Sequence, residues 1–179
     1  MKRYNFKLIL VLISVLLLGI PSGYTQTAGG YLQNGNDSLK RGDFDQAIYD
    51  YTKAIDLNPH LAKPYDNRGV AYAQQGFLTP AIADFTMAIA NNPNDPEAYN
   101  NRGYAYVRQG NLSRAITDFT KAIRINAIYV KAYNNRMLAY YRLKEYDKAW
   151  GDVHKVEKIG GTFDLGIIDA LKRASGKDK

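Results

Sequence analysis

The sequence predicts an all-α solenoid, a stack of similar helical hairpins, and three observations carry that prediction. The stretch Tyr65-Asp66-Asn67-Arg68-Gly69-Val70-Ala71-Tyr72 returns 34 residues later as Tyr99-Asn100-Asn101-Arg102-Gly103-Tyr104-Ala105-Tyr106, and again as Tyr133-Asn134-Asn135-Arg136-Met137-Leu138-Ala139-Tyr140. A fixed period of this length marks stacked units rather than one closed core. Within each period two apolar patterns of helical spacing flank a break. The break falls at the same repeat position each time, at Gly42, Gly76 and Gly110, as turn glycines would.

The first element in chain order lies outside the stack. Lys2, Arg3 and Lys7 precede an apolar run over residues 8–20 that is broken only by Ser14 and Gly19, and Pro21, Ser22 and Gly23 stop it. A basic start, a short apolar segment and small residues after it describe a signal peptide, here residues 1–27. The run is too short to cross roughly 30 Å of hydrocarbon, which takes about 20 residues. No A-x-A site stands between Gly23 and Gly30, so an uncleaved N-terminal anchor is the alternative. Export without cysteine points to a periplasmic or secreted protein whose stability comes from packing, because no disulfide is available. Three of the 24 basic residues fall in this segment and none of the 17 acidic ones does. That leaves 21 against 17, a net +4 for the rest, too mild and too dispersed for a nucleic-acid binder. The basic tail of Lys172, Arg173, Lys177 and Lys179 reads as a frayed, solvated end.

Four units follow, over residues 28–61, 62–95, 96–129 and 130–163. In the second, Tyr65, Tyr72 and Ala73 mark a first helix (A) and Gly76 its end. Thr79-Pro80 reads as an N-cap followed by proline at the first helical position. Ala81, Phe85, Ala88 and Ile89 form the stripe of a second helix (B), and Asn92-Pro93 closes the unit. Residues 164–179 read as a capping helix and tail, with Leu165, Ile168, Leu171 and the stem of Lys172 covering the last unit.

These residues resemble the tetratricopeptide repeat family, which favours an aromatic at position 4, Gly at 8, Tyr at 11, Ala at 20, Phe or Tyr at 24, Ala at 27 and Pro at 32. The second unit matches throughout with Tyr65, Gly69, Tyr72, Ala81, Phe85, Ala88 and Pro93. The third departs at Ala127, the first at Ser38, and the fourth at Met137, Val153, Val156 and Gly161. The resemblance covers residues 28–163. It implies a right-handed superhelix in which small residues at positions 8 and 20 let helices A and B approach.

Candidate chemistry is sparse. His60 and His154 lie in different units, and there is no cysteine, so neither a nucleophilic triad nor a zinc site can be drawn; no metal, cofactor or catalysis is expected. Asp50, Asp84, Asp118 and Asp152 recur with the period, as do Arg68, Arg102 and Arg136. They read as structural ion pairs, either forward between units or within each unit, and the spacing does not choose.

In the family, positions 2, 5, 6, 9, 12 and 13 of helix A line a concave groove that grips peptides or helices. By resemblance this groove draws on Asn36, Lys40, Asp66, Asn67, Asn100, Asn101, Tyr104, Arg108, Lys131, Asn134, Asn135, Tyr141 and Arg142. Asn67, Asn101 and Asn135 share position 6, and an amide there suits bonding to a peptide main chain. Chaperone-binding members clamp a C-terminal carboxylate with Lys and Asn, then Asn, then Lys and Arg. Here the two possible frames offer Leu32, Asn36, Asn67, Glu97 and Asn101, or Asp66, Val70, Asn101, Lys131 and Asn135. Neither completes the clamp. The expectation is an exported, non-enzymatic module that captures a protein or peptide partner; the alternative is an assembly factor or scaffold tethered to the membrane by its N-terminal segment.

Overall fold

A computed structural model describes residues 26–176, and all its regular elements are α-helices. Among the described residues these are α1 Ala28–Arg41, α2 Phe44–Leu57, α3 Ala62–Gln74, α4 Leu78–Asn91, α5 Pro96–Arg108, α6 Leu112–Ile125, α7 Val130–Arg142, α8 Tyr146–Lys158 and α9 Leu165–Ser175. Most of the segment read as a signal peptide, and the end of the tail, lie outside the described residues. No described helix is long and apolar enough to cross a membrane.

One turn design joins A to B in every unit. A residue in the left-handed region ends helix A: Gly42, Gly76 and Gly110 with φ of 78°, 88° and 80°, and Lys144 at 61° in the fourth unit. The next residue donates its N–H back five positions, Asp43 to Ser38, Phe77 to Tyr72, Asn111 to Tyr106 and Glu145 to Tyr140, at 2.8–3.0 Å. This closes the last turn and satisfies carbonyls that would otherwise be orphaned. That same residue is the N-cap of helix B. Asp43 and Asn111 accept from the N–H groups of Gln46 and Arg114 at 3.2 and 3.3 Å. The Thr79-Pro80 reading is therefore corrected: α4 is capped at Phe77, without a side-chain bond, and Pro80 sits inside the first turn, where its missing N–H costs nothing.

A second device joins one unit to the next. Asn58, Asn92 and Asn126 accept through Oδ1 from the N–H two residues on, at His60, Asn94 and Ile128, over 3.1–3.3 Å. An Asx turn of this kind supplies the bend itself. The third unit consequently turns at Asn126 with Ala127 where proline stands elsewhere.

Packing within a unit centres on positions 8 and 24. A Cβ placed on Gly35, Gly69 or Gly103 would lie 2.6–2.8 Å from the rings of Tyr51, Phe85 and Phe119, which are almost wholly buried. The fourth unit inverts the pair: Met137 replaces the glycine, Val153 replaces the aromatic, and each is 1% exposed. The side-chain bulk has changed helices, which explains how that unit keeps its hairpin despite leaving the pattern. Helix α9 then covers it through Ile168 and Leu171, and Trp150 Nε1 donates to Ser175 Oγ at 3.0 Å. Leu165, expected in that cover, is 74% exposed. It stands at the first position of α9, beside the cap Asp164 and ahead of the buried face.

The arginine register is settled within the unit. Arg68, Arg102 and Arg136 each hold Asp84, Asp118 and Asp152 through Nε and Nη2 at 2.6–3.0 Å. Their Nη1 atoms reach back to Thr52, Thr86 and Thr120 on helix B of the preceding unit, at 2.9–3.1 Å. One guanidinium thus ties three helices. The first unit has Asn34 in the arginine position, and its buried Asp50 accepts from Gln46 Nε2 instead.

Candidate interaction groove

Helices α1, α3, α5 and α7 approach one another in sequence and form one continuous face, while α2, α4, α6 and α8 pack mainly against the A helices on either side. The amides proposed as peptide ligands run along this face, but their N–H donors are turned to the neighbouring unit. Asn67 Nδ2 donates to Asn36 Oδ1 at 2.7 Å, Asn101 Nδ2 to Asp66 Oδ1 at 3.1 Å, and Asn135 Nδ2 to Asn100 Oδ1 at 2.8 Å. Asn36 also accepts from the Tyr51 hydroxyl at 3.0 Å. The ladder is a staple between units, in which each position-6 amide, expected to serve a peptide main chain, spends a donor on the neighbouring unit. Asn100, also expected in the groove, is 6% exposed with its Oδ1 engaged by Asn135, so little of its surface faces outward. Asn134 donates to Thr162 O at 2.9 Å, and its buried Oδ1 has no donor among the described residues.

The remaining expected groove residues divide by exposure. Lys40, Tyr104, Arg108, Lys131 and Arg142 are exposed. Arg108 Nη1 donates to Ala73 O and Arg142 Nη1 to Val107 O, so each guanidinium lies across the C-terminal end of the preceding A helix. A cation there is favoured by the carbonyl ends it faces. Tyr141 is half-buried in the last unit with its ring 6.1 Å from Tyr146.

Between α3 and α5 the face opens into a cavity of about 170 Å³. Its lining combines the apolar Val70, Ala73 and buried Phe85 with Gln74, Asn101, Tyr104 and Arg108. Three of these residues were expected from sequence; Val70, Ala73, Gln74 and Phe85 were not. The missed signal is small size at positions 9 and 12 of one unit, where the third unit carries Tyr104 and Val107 and the fourth Leu138 and Tyr141.

Charge is unevenly laid along the same face. Lys63 bonds Glu97 at 2.8 Å and lies 3.7 and 3.9 Å from Asp66 and Asp95. Asp66, 2% exposed, is pushed up to about 6 by burial, which outweighs the opposing pull of Asn101 and Lys63. Burial likewise pushes the Tyr51 hydroxyl up to about 12. Helix α7 carries no Asp or Glu, and α5 carries Glu97 alone, already held by Lys63. The described residues contain no group of three His, Asp or Glu side chains able to hold a metal ion.

Comparison with known proteins agrees with this architecture. The chain matches the family model described as TPR repeat over residues 35–76 and 78–110, and the model described as Tetratricopeptide repeat over residues 96–127. Together they take in just over half of the sequence. Among solved structures, the MamA protein superposes with a TM-score of 0.72 at 27% identity, covering 84% of each chain. The first TPR of Spaghetti (RPAP3), bound to the HSP90 peptide SRMEEVD, superposes with a TM-score of 0.64 at 28% identity, over 66% of this chain and 94% of that one. The Arabidopsis OM64 TPR domain gives 0.61 at 27% identity, over 67% and 96%.

Proposed function

The chain belongs to the tetratricopeptide repeat family, and from that premise we propose that it is a non-enzymatic interaction protein whose concave groove holds a peptide or helix of another protein. The observation that carries the reading is the cavity between α3 and α5, rimmed by Tyr104, which is 49% exposed, and by the exposed Arg108. Tyrosine and arginine at a partly desolvated depression are the side chains that most often anchor interfaces. The RPAP3 domain, of similar fold, holds its peptide SRMEEVD, which supports a peptide or protein as the class of partner. The ion pairs and amide staples are engaged within the stack, so binding falls to the side chains that vary between units.

We also propose that the chain is exported, on the basic and apolar pattern of its first 20 residues. One pull-down from envelope extract tests both proposals. Wild type is expected to retain partners that Tyr104→Ala/Arg108→Ala loses at equal folded content, and identical partner sets from the two proteins would contradict the groove. The recovered wild-type chain is expected to begin beyond residue 20; an intact Met1 in the membrane fraction would instead support the tethered scaffold.

A further inference from the structure

We propose that the groove selects an acidic, extended segment of its partner protein that inserts one aliphatic side chain into the cavity between α3 and α5. This rests on the groove reading above and adds the chemistry of the occupant. Three features meet at one place.

The first is size. About 170 Å³ lined in part by Val70, Ala73 and Phe85 accommodates a single branched aliphatic group. The walls are apolar at Val70, Ala73 and the Phe85 ring, so such a group gains by leaving water.

The second is charge. Position 13, in the last turn of each A helix, holds Lys40, Arg108 and Arg142, all exposed, with Gln74 as the one neutral member. Arg108 also lines the cavity, and Arg142 stands at the equivalent place one unit on. Among the described residues the inner helices carry three carboxylates: Asp66 is buried and accepts from Asn101, Glu97 bonds Lys63, and Asp37, on α1 at the other end of the groove, accepts from Gln33 and lies 3.8 Å from Lys40. The C-terminal half of the groove is therefore left with net positive charge, complementary to Asp and Glu side chains.

The third is pre-organisation. Each of the two guanidiniums spends one N–H on the carbonyl of the preceding unit, at Ala73 or Val107, and its remaining donors meet no carboxylate among the described residues. Holding the side chain in place beforehand reduces the ordering cost of binding. These cations occupy positions different from those of the incomplete carboxylate clamp, so the acidic residues can lie within the segment and need no chain terminus.

The repeats supply substitutions that stand at the equivalent position of another unit. Val70→Tyr copies Tyr104 and fills the cavity; Val70→Leu copies Leu138 and narrows it; Arg108→Gln/Arg142→Gln copies Gln74. The test is selection of random dodecapeptides by display on the full chain, followed by anisotropy with the enriched peptides. Wild type is expected to enrich net-acidic peptides carrying one Leu, Ile, Val or Met. Val70→Tyr should weaken them about tenfold, the scale of losing one buried aliphatic side chain. The double glutamine variant should weaken them about fivefold at low salt and flatten the salt dependence. Enrichment of neutral or basic peptides, or acidic peptides indifferent to both variants, would overturn the inference while leaving the groove intact if Tyr104→Ala still abolishes binding. Peptides that bind equally well to Tyr104→Ala would overturn both. Should Val70→Tyr melt below wild type, Val70→Leu carries the same comparison.

Discussion

Asp66 is the residue at which folding and groove geometry conflict. It accepts the Asn101 staple, yet its carboxylate is buried, and desolvation raises its proton affinity from the ordinary value of 3.8 to about 6. A carboxyl whose folded pKa lies above its unfolded one binds its proton more tightly when folded. Its contribution to stability is thus complete below the unfolded value and lost as pH rises through about 6. Asp66→Asn copies Asn100 at the same repeat position and removes the buried charge. We expect it to stabilise the chain by about 2 kcal/mol at pH 7.5, measured by denaturant unfolding. That advantage should disappear near pH 4, where wild-type Asp66 is already neutral. An equal difference at both pH values would show that burial of charge is not the cause.

At the scale of elements, the stack is held by recurrent cross-links whose partners lie far apart in sequence. Arg102 engages Asp118 on its own helix B and Thr86 on the preceding one. Arg102→Ala leaves Asp118, 5% exposed, with an uncompensated buried charge, a change worth about 3 kcal/mol. The variant should unfold at lower denaturant but bind groove peptide with unchanged affinity once folded; unchanged stability with lost binding would reverse the assignment. Much of this level was legible in the sequence, because a 34-residue period places Tyr65, Gly69 and Phe85 in equivalent positions three times over. The ion-pair register was not, since Arg102 is 18 residues from Asp84 and 16 from Asp118, and periodicity treats the two alike. Nor was the start of α4: Thr79-Pro80 is a good local signal, but the turn at Gly76 commits the next residue, Phe77, to the cap. The amide staples span 31 to 35 residues and appear only when one unit rests on another.

For the whole molecule, each A helix rests on its neighbours, so one face is continuous while the outer helices spread apart. The conspicuous repeated residues are consumed in making that face, and the proposed binding role falls to the residues that differ between units. The cavity illustrates why sequence reading reached only half of the site. Tyr104 and Arg108 announce themselves as anchors, whereas the space beside them exists because Val70 and Ala73 are small, and an absence of bulk has no motif. The central claim is that the partner sits on this inner face. Site-specific photo-cross-linking tests it most directly, with benzoylphenylalanine at Tyr104 inside the groove or at Tyr49, which is 53% exposed on α2. A partner adduct from position 104 and none from position 49 is the predicted result. An adduct from position 49 with none from position 104 would contradict it.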